Sequence, residues 1–226
     1  DGSITSTVSA NVDAGFSIIG HSGNSTANAT IGHGLSKAPE LVISKRRDDN
    51  GYIWNVFVKE LGSSNHLRLD TTAASHDEWE GHEGTTASVI NLSDNASSGF
   101  NTTGKNVITY AFHSVDGYSK VGSYTGNNNN DGTFVYTGFR PAFVLCKRTD
   151  GGDSWIILDS TRDTFNVANH SLWPNLSDAE GQVANKQIDI VSNGFKHRQT
   201  SNQLNGANNY IYIAFAETPF KYSNAR

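Results

Sequence analysis

Ala38-Pro39-Glu40-Leu41-Val42-Ile43-Ser44-Lys45-Arg46 and Arg140-Pro141-Ala142-Phe143-Val144-Leu145-Cys146-Lys147-Arg148 share one pattern: a proline, a short apolar run and a closing Lys-Arg pair. The two prolines are 102 residues apart. Each stretch leads into a turn, Asp48-Asp49-Asn50-Gly51 in one case and Asp150-Gly151-Gly152-Asp153 in the other. Each turn leads into a strand-like run with one tryptophan, Trp54-Asn55-Val56-Phe57-Val58 and Trp155-Ile156-Ile157-Leu158-Asp159. Upstream, Gly15-Phe16-Ser17 matches Gly117-Tyr118-Ser119, and Ser22-Gly23-Asn24 matches Thr125-Gly126-Asn127. Downstream, Val107-Ile108-Thr109-Tyr110-Ala111-Phe112 matches Tyr210-Ile211-Tyr212-Ile213-Ala214-Phe215. The period is far longer than the ~20–50 residues of a solenoid. It predicts duplication of a whole small domain, or of half a larger sandwich.

The repeated runs read as β. They are short, rich in β-branched and aromatic residues, and bounded by Gly, Asn or Pro. Within Tyr210–Phe215 the side chains alternate between two faces, as a strand requires. No segment carries an apolar stripe of helical period over three turns. A single helical turn is expected at Ser177-Asp178-Ala179-Glu180, where Ser177 and Glu180 fit a capping box. The expected fold is all-β, with two tandem homologous β-sandwich-like units at residues 11–114 and 115–221. Residues 1–10 then form a linker or an incoming strand, and residues 222–226 a C-terminal tail.

Composition narrows the function classes. The chain has 226 residues, of which only 17% are charged, while 24 are Asn and 22 are Gly. The surface is therefore mostly uncharged and polar. Aromatic residues at 10% argue against disorder. A net charge of -5 gives no electrostatic footprint for nucleic acid, so no nucleic-acid partner is expected. No run approaches ~18 apolar residues, so no membrane insertion through a helix is expected. One cysteine, Cys146, cannot form an internal disulfide. The chain begins at Asp1 and contains no Met, which points to processing or to a piece of a longer protein.

Ile31-Gly32-His33-Gly34-Leu35-Ser36-Lys37-Ala38-Pro39-Glu40-Leu41-Val42, Gly122-Ser123-Tyr124-Thr125-Gly126-Asn127, Phe134-Val135-Tyr136-Thr137-Gly138-Phe139-Arg140-Pro141-Ala142 and Ala214-Phe215-Ala216-Glu217-Thr218-Pro219-Phe220-Lys221 carry a family resemblance. Together they resemble a tandem β-domain at the C-terminal ends of large tail-fibre-like virion proteins of tailed bacteriophages, many of them marine or cyanobacterial. The resemblance spans about Val12 to Lys221. It transfers no catalytic or ligand residue. It implies a structural component on the virion exterior, a homotrimer within a larger protein, that adheres to a host cell-surface glycan or protein. Two other readings stay open: a capsid decoration or fibre protein without a receptor role, and a polysaccharide-degrading module.

Several clusters carry candidate chemistry. His76-Asp77-Glu78-Trp79-Glu80-Gly81-His82-Glu83 is dense in potential ligands. A divalent cation at 76–83 would draw on His76, Asp77, Glu80 and His82. The same stretch also reads as a solvated acidic loop, since its spacing fits neither an EF-hand nor a His-Glu-x-x-His helix. For ligand binding, Trp79 and Trp173 differ between the copies, which makes them candidates for stacking on a sugar ring. Asn175, Tyr124, Asn128 and Asn129 would add amide and hydroxyl contacts, with Tyr136 as a further contributor. Ordinary turn chemistry accounts for the same asparagines. The two Lys-Arg pairs read as strand-end partners for nearby Asp residues, or as anion contacts. No nucleophile elbow or phosphate loop is present. Asp159 and Asp163 are separated by Arg162, which predicts a salt-bridged turn rather than a catalytic pair. No enzymatic activity and no obligatory cofactor is expected.

Overall fold

The computed structural model describes residues 2–49, 51–63, 65–77, 81–93 and 99–219. They are almost entirely strand and loop, with antiparallel pairing throughout the named ladders. The chain divides into two compact units. The first holds Asp1–Leu69 and Ser75–His113; the second holds Asp70–Ala74 and Ser114–Arg226. The five residues Asp70–Ala74, expected in the first unit, thus belong to the second.

The first unit contains β1 (Ser6–Asn11), β2 (Phe16–Ser22), β3 (Thr30–Gly32), β4 (Leu41–Arg46), β5 (Asn55–Val58), β6 (Asn65–Arg68), β7 (His76–Asp77), β8 (His82–Thr85), β9 (Val89–Leu92) and β10 (Asn106–Phe112). One sheet runs β1-β2-β10-β4-β5-β6-β7, and a smaller one runs β3-β9-β8. The second unit contains β11 (Ser119–Thr125), β12 (Phe134–Tyr136), β13 (Pro141–Arg148), β14 (Ile156–Asp159), β15 (His170–Ser171), β16 (Gly181–Gln182), β17 (Ile188–Val191), β18 (Gly194–His197) and β19 (Asn209–Ala216). Its sheets run β11-β19-β13-β14, β12-β18-β17 and β15-β16. The order β2-β10-β4-β5 in the first unit therefore recurs as β11-β19-β13-β14 in the second, and β3-β9-β8 recurs as β12-β18-β17.

Each unit buries the facing sides of a large and a small sheet, which is sandwich packing. In the first, Ile19, Val42, Phe57 and Ala111 meet Ile31, Ile90 and Leu92. In the second, Val144, Cys146, Ile156, Leu158, Tyr212 and Ala214 meet Val135, Ile188, Ile190 and Phe195. Strict alternation drives this: Val107, Thr109 and Ala111 of β10 point inward, while Ile108, Tyr110 and Phe112 stay half-exposed.

Residues 6–11 are an ordered strand, paired along their length with β2 from Ser6↔His21 to Asn11↔Phe16. The helical turn expected at 177–180 is absent. That stretch has no apolar face to bury, and Glu180 instead lies 3.8 Å from Arg162. Just before it, Leu176 N–H donates to the Trp173 carbonyl at 3.1 Å in a turn.

Candidate functional site

The repeated Lys-Arg pairs have internal partners. In the first unit Lys45 Nζ donates to the Tyr52 carbonyl, Arg46 lies 2.5 Å from Asp49, and Asp48 accepts the backbone N–H of Asn106. In the second, Lys147 is fully buried and Nζ donates to the carbonyls of Arg148 (2.7 Å), Thr72 (3.3 Å) and Gly151 (3.4 Å). Burial pushes its ammonium down to about 8. Arg148 reaches Asp150 and Asp153 at 2.7 and 3.1 Å, and Asp150 accepts the N–H of Asn209 at 2.9 Å. Both turns are thus clasped to the first residue of the unit's last strand. These cations are engaged in the fold, not offered to an anion.

A second repeated device fixes the Asn-rich loops. The Asn101 side chain donates to Thr26 O at 2.7 Å and accepts from Asn24 N at 3.2 Å, while its carbonyl takes Ser25 N at 2.8 Å. In the second unit Asn205 has the same role with more bonds. Its amide donates to Gln199 O (2.7 Å), Asn129 O (2.9 Å) and Asn127 Oδ1 (3.0 Å), and accepts from Asn127 N (3.3 Å). Its carbonyl takes Asn128 N at 2.7 Å. Ser25 and Asn128 sit at φ 52° and 50°, the left-handed region that such tight turns need. Gly23 and Gly126 precede them because a Cβ would meet backbone atoms at 2.3 and 2.0 Å. Asn101 and Asn205, both buried, fall in loops that the sequence places equivalently before each closing strand, but no local signal marks these two among the neighbouring asparagines as the hubs.

This arrangement reassigns several expected ligand residues. Tyr124 donates to Leu204 O at 2.8 Å and its ring stacks on Tyr210 at 4.8 Å, so it is a packing residue. His21 makes the equivalent contact to Phe100 O in the first unit, at 2.9 Å. Asn175 accepts from Trp155 N and donates to Ser154 Oγ, which ties a loop down. Trp173 is half-buried against the core of its unit rather than displayed. Asn128 and Asn129 remain exposed, with Asn129 Oδ1 taking Asp131 N at 2.9 Å. Trp79 and Glu80, with Glu78, lie outside the described residues.

The described members of the 76–83 cluster do not converge. His76 and Asp77 lie on β7 opposite His66 and Asn65. His82 is in the core, hydrogen-bonded to Ser44 Oγ at 2.7 Å, and Ser44 in turn to Thr109 Oγ1 at 2.7 Å. Burial, then the neighbouring His66 and His21, pushes the His82 imidazole down to about 3. Among the described residues no group of three His, Cys, Asp or Glu side chains is placed to hold a metal ion. Asp159 pairs with Arg162 at 2.6 Å, as its spacing predicted. Asp163 holds His170 Nδ1 at 2.5 Å and the backbone N–H groups of Asn169 and His170. Burial pushes the Cys146 thiol up to about 12, so it is not a nucleophile at neutral pH.

With those residues assigned to the scaffold, the surface of the second unit still displays two large aromatic side chains beside a polar cavity. On β12, Phe134 and Tyr136 share the outward face, 44% and 65% exposed, while Val135 between them enters the core. β12 is the edge of its sheet. Phe134 lies over Gly194 of β18, where a Cβ would stand 3.1 Å from Cε2. Tyr136 lies over Gly138, where a Cβ would stand 3.6–3.9 Å from Oη, Cζ and Cε1. The tip of the ring thus passes close to Gly138, and most of the side chain stays open to solvent. Beside it is a cavity of about 260 Å³, lined by Tyr136, Gly138, Ser114, Asp116, Gly117 and Lys120 among others. Both walls are fixed. Thr137 N and Gly138 N bind Asn193 O at 3.0 and 3.2 Å, and the Val115–Ser119 turn closes on itself through Ser119 N to Val115 O at 2.9 Å. Sequence reading named Tyr136 only as a contributor and missed Asp116 and Lys120, which no motif marks.

Residues 1–219 match the model of a domain of unknown function, DUF7483. The chain belongs to that family. No curated protein and no solved structure matches it. Within this family member no described helix is long and apolar enough to cross a membrane.

Proposed function

We propose that this DUF7483 chain is a non-catalytic, exterior virion domain of tail-fibre type whose task is adhesion to the host surface. The observation that carries the reading is the display of Phe134 and Tyr136 on an edge strand beside a polar cavity with fixed walls. Large rings held open to solvent on a rigid support lose little entropy on contact and supply most of the contact area. Only 17% of the chain is charged, so contact through hydrogen bonds and rings survives variable salt better than contact through ion pairs. Location on the virion exterior, assembly as a homotrimer and a host glycan or surface protein as partner belong to the same proposal.

The test uses the labelled full chain and the bacterium infected by the virus that carries it. Adhesion predicts saturable binding to cells and competition with virus adsorption. Absence of both, with a copy number matching capsid lattice sites, would establish a decoration role instead. Release of reducing ends from host polysaccharide, abolished by one carboxylate substitution, would establish an enzyme module.

A further inference from the structure

We propose that the cavity beside Tyr136 is a subsite for one neutral pyranose ring, held with its apolar face on the Tyr136 phenol. This rests on the adhesion reading and names the ligand class for it. Three observations point to a saccharide. The first is the ring itself: Tyr136 is 65% exposed, with its phenol tip passing close to Gly138. An aromatic face carries negative potential and attracts the polarised C–H groups on one face of a pyranose. The second is the mix of groups lining the cavity. Asp116 brings a carboxylate that accepts hydroxyl donors and Lys120 an ammonium that donates to hydroxyl and ring oxygens, while Ser114 Oγ accepts from Val121 N at 3.0 Å and fixes the wall. A neutral polyol uses both kinds of group. An anion opposes Asp116 and a cation opposes Lys120, so the pair selects against charged ligands. The third is size: about 260 Å³ is below the usual range for drug-sized ligands and suits a single ring.

A peptide fits less well. β12 is only three residues long, Phe134–Tyr136, and offers little edge for an added strand. Its neighbouring outward position, Lys196, is paired with Asp131 at 2.6 Å.

The experiment is ligand-observed and protein-observed NMR on the full chain. The probes are the methyl glycosides of glucose, galactose, mannose and N-acetylglucosamine, with glucuronate as the acidic comparison. The expected result is saturation transfer to at least one neutral glycoside, with amide shifts at Tyr136, Gly138 and Lys120. Tyr136→Ala weakens that binding at least about tenfold, Tyr136→Phe retains most of it, and Asp116→Asn weakens it while the fold stays intact by circular dichroism. Shifts confined to another region, a preference for glucuronate, or an unaltered affinity in Tyr136→Ala would each overturn the subsite. So would no binding of any probe up to tens of millimolar. Cell binding is measured in parallel. Cells bound equally by wild type and Tyr136→Ala overturn the subsite and leave adhesion standing. Glycoside binding without cell binding does the reverse. Cell binding that is lost with Tyr136 but competed by a peptide and not by glycosides assigns the face to a protein partner and overturns the saccharide.

Discussion

Asn205 shows how one residue fixes a loop. Its buried side-chain amide donates to Asn127, Asn129 and Gln199 and accepts from the backbone N–H groups of Asn127 and Thr133, and its carbonyl takes another N–H. Asn205→Ala strands several buried polar groups at once. The expected loss is about 3 kcal/mol of unfolding free energy, measured by urea titration with an unchanged slope. Asn101→Ala, with fewer partners, loses less. The glycines beside these hubs separate steric need from composition. Gly126→Ala forces a Cβ to within 2.0 Å of Gly206 O and disrupts the loop. Gly20→Ala meets nothing within 4 Å and leaves stability within about 0.5 kcal/mol. In the sequence these asparagines are indistinguishable from their many neighbours, because a residue's hydrogen-bond partners come from segments some 75 positions away. What the sequence does show is the twofold recurrence of Gly-Asn ahead of a distant Asn.

At the scale of elements, the clasp between turn and closing strand explains why Lys-Arg recurs. Asp150 takes a backbone N–H of β19 and also faces Arg148. Exposed ion pairs contribute little, so the backbone bond carries most of the effect. Asp150→Ala is expected to cost about 1 kcal/mol, largely retained at 1 M salt. Asp150→Asn keeps an acceptor and costs less. Strand positions were legible because alternation and β-branched runs are local properties. The helical turn expected at 177–180 failed because capping residues alone supply no apolar face. Tyr124, Asn175 and Trp173, expected as ligand contacts, are engaged in internal contacts for one shared reason. Aromatic and amide side chains suit a binding surface and a packed sheet equally well, and only the fold decides which they meet. The 134–136 edge was hard to see because a three-residue strand carries almost no periodic signal.

Across the whole molecule, the buried histidines predict acid sensitivity. His82 and His197 are held down to about 3, both mainly by burial. His21 and His33 are lowered for the same leading reason. Their reference value is 6.5, so below it the unfolded chain binds protons that the folded chain refuses. Stability therefore falls as pH drops below about 6.5, and for His82 and His197 the fall continues toward 3 at roughly 1.4 kcal/mol per pH unit each. Asp150 and Asp163 act in a lower window. Burial raises them, but Arg148 and Asn209 around one, and His170 and Asn169 around the other, pull both below 3.8. Their contribution is lost only as pH falls past that value. His197 lies against Tyr124 and Phe195, at 4.9 and 5.5 Å between rings. His197→Phe should flatten the pH dependence of melting temperature between 6 and 4, while Asp163→Asn should leave that interval unchanged.

Function is the scale at which the sequence was least informative. Its composition argued against classes of partner, and its resemblance pointed to the virion exterior, but neither located a contact surface. On the proposed reading, the Tyr136 face of the second unit is displayed to the host. A density map of the intact particle at side-chain resolution tests it most directly. The expected result is this chain at the tail periphery, with Phe134, Tyr136 and the cavity beside them facing outward and uncovered. A chain tiling the capsid, or one whose Tyr136 face is sealed against a neighbouring virion protein, would contradict it.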